Sequence, residues 1–399
     1  MLDSETKPAR TFADLEPVKS DSLLALIELA RADTRPEKID VGVGVYRDSD
    51  GNTPILRSVK QAEQRLWQDQ TSKSYLGGRG DVRFTQLLRP IVLGAHDGDE
   101  RIAGLQTPGG CGSLTLGFKL LEAGNPDARV FVGTPTWPNH VPIIRGTTLE
   151  IVEYPHYDRA SRKLCFDRMA EALKSARAGD IALLHGCCHN PTGADLASDE
   201  WAEVARIVAD RGIIPFVDFA YQGLGDGLEE DAAGFWRLLD ATDTLVAAHS
   251  CDKNFGVYRD RLGTLWFKTP DKASTDIAMG HVLQISREMW SMPPDHAAAA
   301  IRILLDDAAL TADWRAELDT MRGRIAALRD RLAAADSELA YIGGQKGMFS
   351  MLPLTPDQVV KLRTDHAIYM ADSGRFNICG LSDDQVDRFA AAVLQVMHG

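Results

Sequence analysis

Five short apolar runs punctuate the middle of this chain, and they narrow what it can fold into more than any other feature. RVFVG (129–133), IALLHG (181–186), GIIPFVDFAY (212–221), DTLVAAHS (243–250) and GTLWFK (263–268) are each bounded by turn residues. Apolar runs of this length read as strands buried on both faces. Between the second and third lies SDEWAEVARIVADRG (198–212), with Asp and Glu at its start, Trp, Val, Ile and Val at helical spacing, and Gly212 as a stop. Strand and helix in alternation predict βαβ units and a mostly parallel sheet, an α/β fold.

After about residue 297 the pattern changes. DHAAAAIRILLDD and TADWRAELDTMRGRIAALRDRLAAAD are amphipathic and strongly helical, GMFSMLPL (347–354) reads as a strand, and TPDQVVKLRTDH and SDDQVDRFAAAVLQVM read as two more helices. A second, smaller α+β unit is expected at the C-terminal end. The length of 399 residues accommodates this, at a prior of about 150 residues per domain.

The net charge of −13 argues against a nucleic-acid partner, which needs a basic face, but leaves room for a local pocket of arginines. None of the six cysteines forms a C-x-x-C pair, so no metal centre is expected; the adjacent cysteines in His185-Gly-Cys-Cys-His189 are poorly placed to chelate one ion. The polar start, MLDSETKPARTFADLEP, lacks the apolar core of a secretory signal, and no run of about 18 apolar residues is present to span a membrane. A cytoplasmic protein is expected.

Four segments carry chemistry. In HSCDKNFGVYRDRLG (249–263), Lys253 follows a strand, and a lysine amine can form a Schiff base with an aldehyde. Ser250 and Arg261 can bind a phosphate on the molecule carrying that aldehyde. In FVDFAYQG (216–223), Asp218 sits at the end of an apolar strand, where open α/β sheets place ligands. A buried carboxylate needs a partner, such as a protonated pyridine nitrogen, and Tyr221 can donate to the phenolic oxygen of the same ring. Asn190, in LLHGCCHNPTG (183–193), can bond that oxygen too. TPGGCGSLTLGFKLLEAG (107–124) opens a helix on a glycine-rich turn, whose free N–H groups suit a phosphate. Each has a plainer reading, as a surface lysine, a helix cap or an ordinary turn; together they converge on one cofactor.

With HGCCHNPTG, DFAYQG, KNFGVYRDR and SGRFN in this order, the sequence resembles the class I aminotransferases of the aspartate and aromatic amino acid branch, which are fold-type I pyridoxal 5′-phosphate enzymes. The resemblance runs over nearly the whole chain. It implies a large domain, 53–312, with a mostly parallel seven-stranded sheet flanked by helices, and a small α+β domain from 1–52 and 313–399. It implies that Lys253 bonds the cofactor's aldehyde and serves as general base and acid. Asp218 would pair with the ring nitrogen, Asn190 and Tyr221 with the phenolic oxygen, and Trp137 would stack on the ring. Gly109, Gly110, Cys111, Ser250 and Arg261 would surround the phosphate, with Tyr75 reaching it across the interface of a homodimer. Gly44 would lie over the substrate, and Trp137 and Asn190 would face it as well. Arg375 would clamp the α-carboxylate, and Arg287 of the neighbouring subunit a side-chain carboxylate. A guanidinium fits a carboxylate bidentately, which a lysine does not.

The activity implied is transfer of the amino group of L-aspartate, or a similar dicarboxylic amino acid, to a 2-oxo acid such as 2-oxoglutarate, oxaloacetate or glyoxylate, by a ping-pong mechanism. The alternative is an aromatic or broad-specificity aminotransferase, since that branch keeps the distal arginine and moves it aside. Three positions depart from the family: Cys111 where a hydroxyl residue is usual, Met292 for a common asparagine, and Asp252 for a small hydroxyl residue. An unpaired carboxylate at 252 would repel a phosphate, so it either points away or has a partner.

Overall fold

The computed structural model describes Leu15 and residues 22–399. Most of the polar start, on which the reading of no secretory signal rests, lies outside the described residues, as does the first part of the expected 1–52 segment.

The five apolar runs are five of seven strands in one sheet: β1 (Ile102–Pro108), β2 (Arg129–Thr134), β3 (Glu150–Pro155), β4 (Ile181–His185), β5 (Ile214–Phe219), β6 (Leu245–Ser250) and β7 (Leu262–Lys268). Their order across the sheet is β1-β7-β6-β5-β4-β2-β3. Only β7 runs against its neighbours, pairing antiparallel with both β1 and β6. Every residue of β6 and β7 is buried, as continuous apolar runs require when both faces are covered.

Period-two alternation splits each strand between two cores. Phe216, Val246 and Leu265 join one cluster with α1 (Gly109–Gly124) and α3 (Lys272–Met289), while Val217, Ala247 and Trp266 join the other with α2 (Ser198–Arg211). The face of α1 at Gly117 lies so close to the sheet that a β-carbon there would sit 2.5 Å from the Phe216 ring. That close approach brings the N-terminus of α1 directly beside the end of β6. Helix α2 begins with Glu200 accepting from the Ala197 N–H at 2.7 Å and ends at Gly212 in the left-handed region, φ 64°.

The C-terminal part follows the expected order: α4 (His296–Asp306), α5 (Ala308–Ala335), a short strand Phe349–Met351, α6 (Pro356–His366), a short strand Arg375–Asn377, and α7 (Val386–His398). The run read as a strand over 347–354 pairs over three residues only, antiparallel to Arg375–Asn377. A separate hydrophobic cluster joins residues 328–396 with Ile39 and Val41. Helix α5 serves both regions: Leu310, Trp314, Leu318, Met321 and Ile325 belong to the sheet's core, and Leu328 and Leu332 to the C-terminal cluster. Its cap is Asp307, which accepts from the N–H groups of Ala309 at 2.8 Å and Leu310 at 3.0 Å.

Arg329, on the same helix and buried, donates to the carbonyls of Ile342, Lys346, Gly347 and Phe349 at 2.6–3.2 Å. No carboxylate meets it there; the rigid fork of donors instead gathers the turn that delivers Phe349.

Candidate active site

The C-terminal ends of the parallel strands open into a cleft of about 300 Å³ that also receives the segment around Gly44 and the strand bearing Arg375. The sequence-derived residues Gly44, Gly110, Cys111, Trp137, Asn190, Asp218, Tyr221, Lys253, Arg261 and Arg375 all line it. Gly109 and Ser250 adjoin them: Lys253 Nζ donates to Ser250 Oγ at 3.3 Å, and a β-carbon on Gly109 would lie 2.6 Å from Arg261 Nη2. Lys253 stays close to the sheet because the next residues are pinned. Trp314 Nε1 donates to the Asn254 carbonyl at 2.8 Å, and its ring stacks on Phe255 with centroids 4.4 Å apart.

At the floor, Asp218 is buried on β5 and accepts from His140 Nε2 at 3.0 Å. Burial by itself raises the carboxyl's pKa; the His140 hydrogen bond, with His140, His185 and Lys253 nearby, outweighs this and holds Asp218 below the ordinary value. His140 opens a row of rings. It meets His185 at 5.1 Å, His185 meets His189 at 4.0 Å, and His189 stacks on His156 at 4.1 Å. Thr136 Oγ1 lies 2.7 Å from His140 Nδ1 and 3.1 Å from His185 Nε2, and so links the first two. Burial, with His140 nearby, pushes His185 down to about 3, and burial pushes His156 down to about 4. The histidines of the HGCCH motif thus back the carboxylate. Of its thiols, Cys187 and Cys188 lie near Asp231, but that carboxylate already accepts from the N–H groups of Gly223, Gly225 and Asp226.

Above the floor, Asn190 Nδ2 lies 3.3 Å from the Tyr221 hydroxyl, while the buried Asn190 Oδ1 has no partner among the described residues. Lys253 Nζ stands 5.3 Å from the Tyr221 ring centroid. At one end, Gly109 and Gly110 begin α1 with Cys111 behind them, and Asn139 Nδ2 lies 3.7 Å from Cys111 Sγ. Asp252 does not point away: it is buried and bound by Arg261 Nη1 and by the Leu262 N–H at 3.0 Å. Burial raises its carboxyl's pKa, opposed by Lys253 and Arg261.

At the other end, Arg375 Nη2 donates to the Gly42 carbonyl at 3.0 Å, and its guanidinium lies 4.8 Å from the Phe349 ring centroid. Its Nε is buried without a partner among the described residues. Gly44 is needed where it stands, since a β-carbon would come within 2.8 Å of the Phe349 ring. Asn377 Nδ2 donates to the Val43 and Val45 carbonyls, both at 2.7 Å, and fixes that segment.

Tyr75 and Arg287 are not brought into this cleft. Tyr75 is 90% exposed, and Arg287 is exposed near the end of α3. Their segments meet on one surface, where the Leu76 N–H lies 3.1 Å from Met292 Sδ. Sequence reasoning missed four participants: His140, Tyr258, Phe349 and Leu114, the last three lining the cleft. His140 stands in the TPTWPNH segment that supplied Trp137, and the turn between them brings its ring edge-on to that indole with centroids 5.3 Å apart.

A buried carboxylate opposite a lysine, a glycine-rich helix start with a guanidinium and a hydroxyl beside it, and an unpaired Asn190 oxygen suit a phosphorylated, hydroxylated pyridine aldehyde. The comparisons agree. Residues 36–393 match the model for aminotransferase class I and II. A tyrosine aminotransferase from Rhizobium meliloti is 46% identical over 383 residues, 95% of this chain and 98% of that protein. An aspartate aminotransferase from Salmonella typhi is 38% identical over 395 residues, 97% of this chain and all of that one. An aromatic-amino-acid aminotransferase from Burkholderia pseudomallei, solved covalently bound to pyridoxal phosphate, superposes with a TM-score of 0.93 at 36% identity, covering 97% of this chain and 99% of that one. With fold, cleft and relatives in accord, this chain belongs to the class I and II aminotransferases and is a pyridoxal-phosphate-dependent transaminase.

Proposed function

We propose that the enzyme moves the amino group of a dicarboxylic amino acid such as L-aspartate to a 2-oxo acid, in two half-reactions that make its kinetics ping-pong. The cofactor, when bound, supplies an aldehyde that takes up the amino group and a ring that absorbs electrons. Lys253 would hold it covalently and, once released by the incoming amine, would take the substrate's α-proton on Nζ and deliver it to the carbon that had carried the aldehyde. Asp218, ionised and oriented by His140, keeps the ring nitrogen protonated. Asn190 and Tyr221 bond the phenolic oxygen, and Trp137 covers the ring. The start of α1, with Gly109, Gly110 and Cys111, holds the phosphate together with Ser250 and Arg261. Arg375 takes the α-carboxylate, and Gly44 lets Phe349 close over it. The single observation that carries this reading is the pairing in one cleft of Lys253 and a buried Asp218, beside Arg375 and Asn190, whose buried Nε and Oδ1 have no partner among the described residues.

Tyr75 and Arg287 complete the reading as residues that serve a second copy's site in a homodimer. What supports this is their shared exposed surface, outside the chain's own cleft. We divide the chain into a large domain, 53–312, and a small domain, 1–52 with 313–399, in line with the separate C-terminal cluster that captures Ile39 and Val41. Six free thiols favour a cytoplasmic enzyme. No helix among the described residues is long and apolar enough to cross a membrane.

A second reading has its own support. Leu114, Trp137 and Phe349 give the cleft apolar walls suited to an aromatic side chain, and the 46%-identical relative carries the name tyrosine aminotransferase. Steady-state rates for aspartate, glutamate, tyrosine and phenylalanine against 2-oxoglutarate, oxaloacetate and glyoxylate decide between the two. Arg287→Ala is expected to lower kcat/KM for aspartate by about 10²-fold, the loss of a charge-assisted bidentate contact, and to leave phenylalanine within about threefold. Equal losses for both would remove the distal-carboxylate role, and a wild-type preference for tyrosine would establish the second reading.

A further inference from the structure

The phosphate end of the cleft already contains an anion of the chain's own. Asp252 immediately precedes Lys253 and is 1% exposed. Its Oδ2 binds Arg261 Nη1, and its Oδ1 accepts from the Leu262 N–H at 3.0 Å. The pair sits against the first residue of α1: a β-carbon on Gly109 would lie 2.6 Å from Arg261 Nη2 and 3.0 Å from Asp252 Oδ2. A buried carboxylate therefore stands where the helix's free N–H groups and Arg261 converge. Arg261 Nη1 is further committed to the Tyr258 carbonyl at 3.0 Å, so one edge of the guanidinium is taken up inside the protein.

We propose that Asp252 is a built-in electrostatic counterweight to the cofactor's phosphate, one that weakens noncovalent retention of the cofactor and leaves its covalent bond to Lys253 as the main hold. The inference rests on the cleft being the phosphate site. A phosphate monoester carries a charge of about −1.5 to −2 at neutral pH and needs most of the positive potential at this end of the cleft. Asp252 cancels the guanidinium nearest the start of α1, and a carboxylate and a phosphate sharing one arginine repel through a partly desolvated site. The consequence differs between the two cofactor forms. The aldehyde form is anchored by Lys253 and stays. The aminated form, produced in the first half-reaction, has no such bond and is held by its phosphate and ring contacts alone. Between half-reactions the enzyme thus exchanges its cofactor with the surrounding pool more readily than it would with a neutral residue at 252.

The test compares wild type with Asp252→Ser and Asp252→Asn. The asparagine keeps the oxygen that accepts from Leu262, so folding is protected in at least one variant, and thermal melts verify it in both. Dissociation constants are measured for pyridoxamine phosphate, and for pyridoxamine without phosphate, by fluorescence titration of the cofactor-free protein. Both variants are expected to bind pyridoxamine phosphate about tenfold more tightly, with pyridoxamine unchanged and with a steeper loss of affinity on added salt in the variants, whose phosphate site is the more positive. Unchanged affinity would overturn the proposal. So would weaker affinity, which would mean that Asp252 orients Arg261 for the phosphate rather than opposing it. A tightening that appeared equally for pyridoxamine would also overturn it, because the effect would not act through the phosphate. If wild type bound the phosphorylated compound no better than pyridoxamine, the assignment of the phosphate end itself would fall, independently of the variants.

Discussion

Replacing Arg375 tests the substrate end of the cleft most directly. The guanidinium is buried, one Nη is spent on the Gly42 carbonyl at 3.0 Å, and the Phe349 ring lies 4.8 Å away. Burial lowers its pKa from the usual arginine value, with Tyr221 opposing, so the site holds a partly desolvated cation. A substrate α-carboxylate would meet the guanidinium where it lines the cleft and relieve that state. Charge-assisted hydrogen bonds contribute about 1.5–3 kcal/mol each, and breaking a buried pair from one side costs about 3–5 kcal/mol. At about 1.4 kcal/mol per decade, Arg375→Ala should lower kcat/KM by about 10²–10⁴-fold. Every amino acid carries the α-carboxylate, so the loss should be nearly the same for aspartate and tyrosine. Arg375→Lys keeps a charge without the fork and should recover only part of it. The assay is steady-state kinetics with both donors, alongside a thermal melt. Losing the donor to Gly42 is a cost of order 1 kcal/mol, a shift of at most a few degrees. A loss below tenfold for both donors, or one confined to aspartate, would refute the α-carboxylate assignment.

Lys253→Ala should reduce turnover by at least the ~10²–10⁴-fold typical of general acid–base catalysis, and the cofactor should leave on gel filtration; normal turnover would overturn its role. Trp314→Ala removes a fully buried ring that stacks on Phe255 and bonds the Asn254 carbonyl, and should destabilise the protein by about 3–5 kcal/mol in chemical denaturation. Asp180 is buried between β2 and β4: burial raises its pKa, but Arg129 at 2.6 Å and two backbone N–H donors hold it below the ordinary value. A depressed folded-state pKa contributes stability that is present above the unfolded value of about 3.9 and is lost as pH falls through the folded one, so stability should decline on acidification, and Asp180→Asn should lower the unfolding free energy at neutral pH by about 2–4 kcal/mol while flattening that acid limb.

The sheet is legible in the strands between its edges, which are buried on both faces and appear as unbroken apolar runs; β1 and β3, at the edges and less buried, carry no such run. The C-terminal helices were legible from their stripes, but the strand at 347–354 was overdrawn, since Gly347 turns the chain at φ 72° and Arg329 claims the neighbouring carbonyls. Lys253, Asp218 and Asn190 are legible because each lies near or just beyond the C-terminal end of a recognisable strand. Their supports are not. His140 meets Asp218 across 78 residues of sequence and Arg375 meets Gly42 across 333, and no local pattern encodes such pairs. The partner of Asp252 stands only nine residues on, but a motif that suggests Arg261 for a phosphate gives no sign that its guanidinium also binds a carboxylate of the chain.

The histidine row beneath Asp218 bears on how the enzyme meets changes in acidity. His185 is held to about 3, His156 to about 4, and His189 well below its ordinary value, all chiefly by burial. Side chains that elsewhere titrate near neutrality are therefore uncharged throughout the range in which a cell operates. His185, His189 and His156 thus form a neutral wall behind the pair made by His140 and Asp218, and not a store of charge.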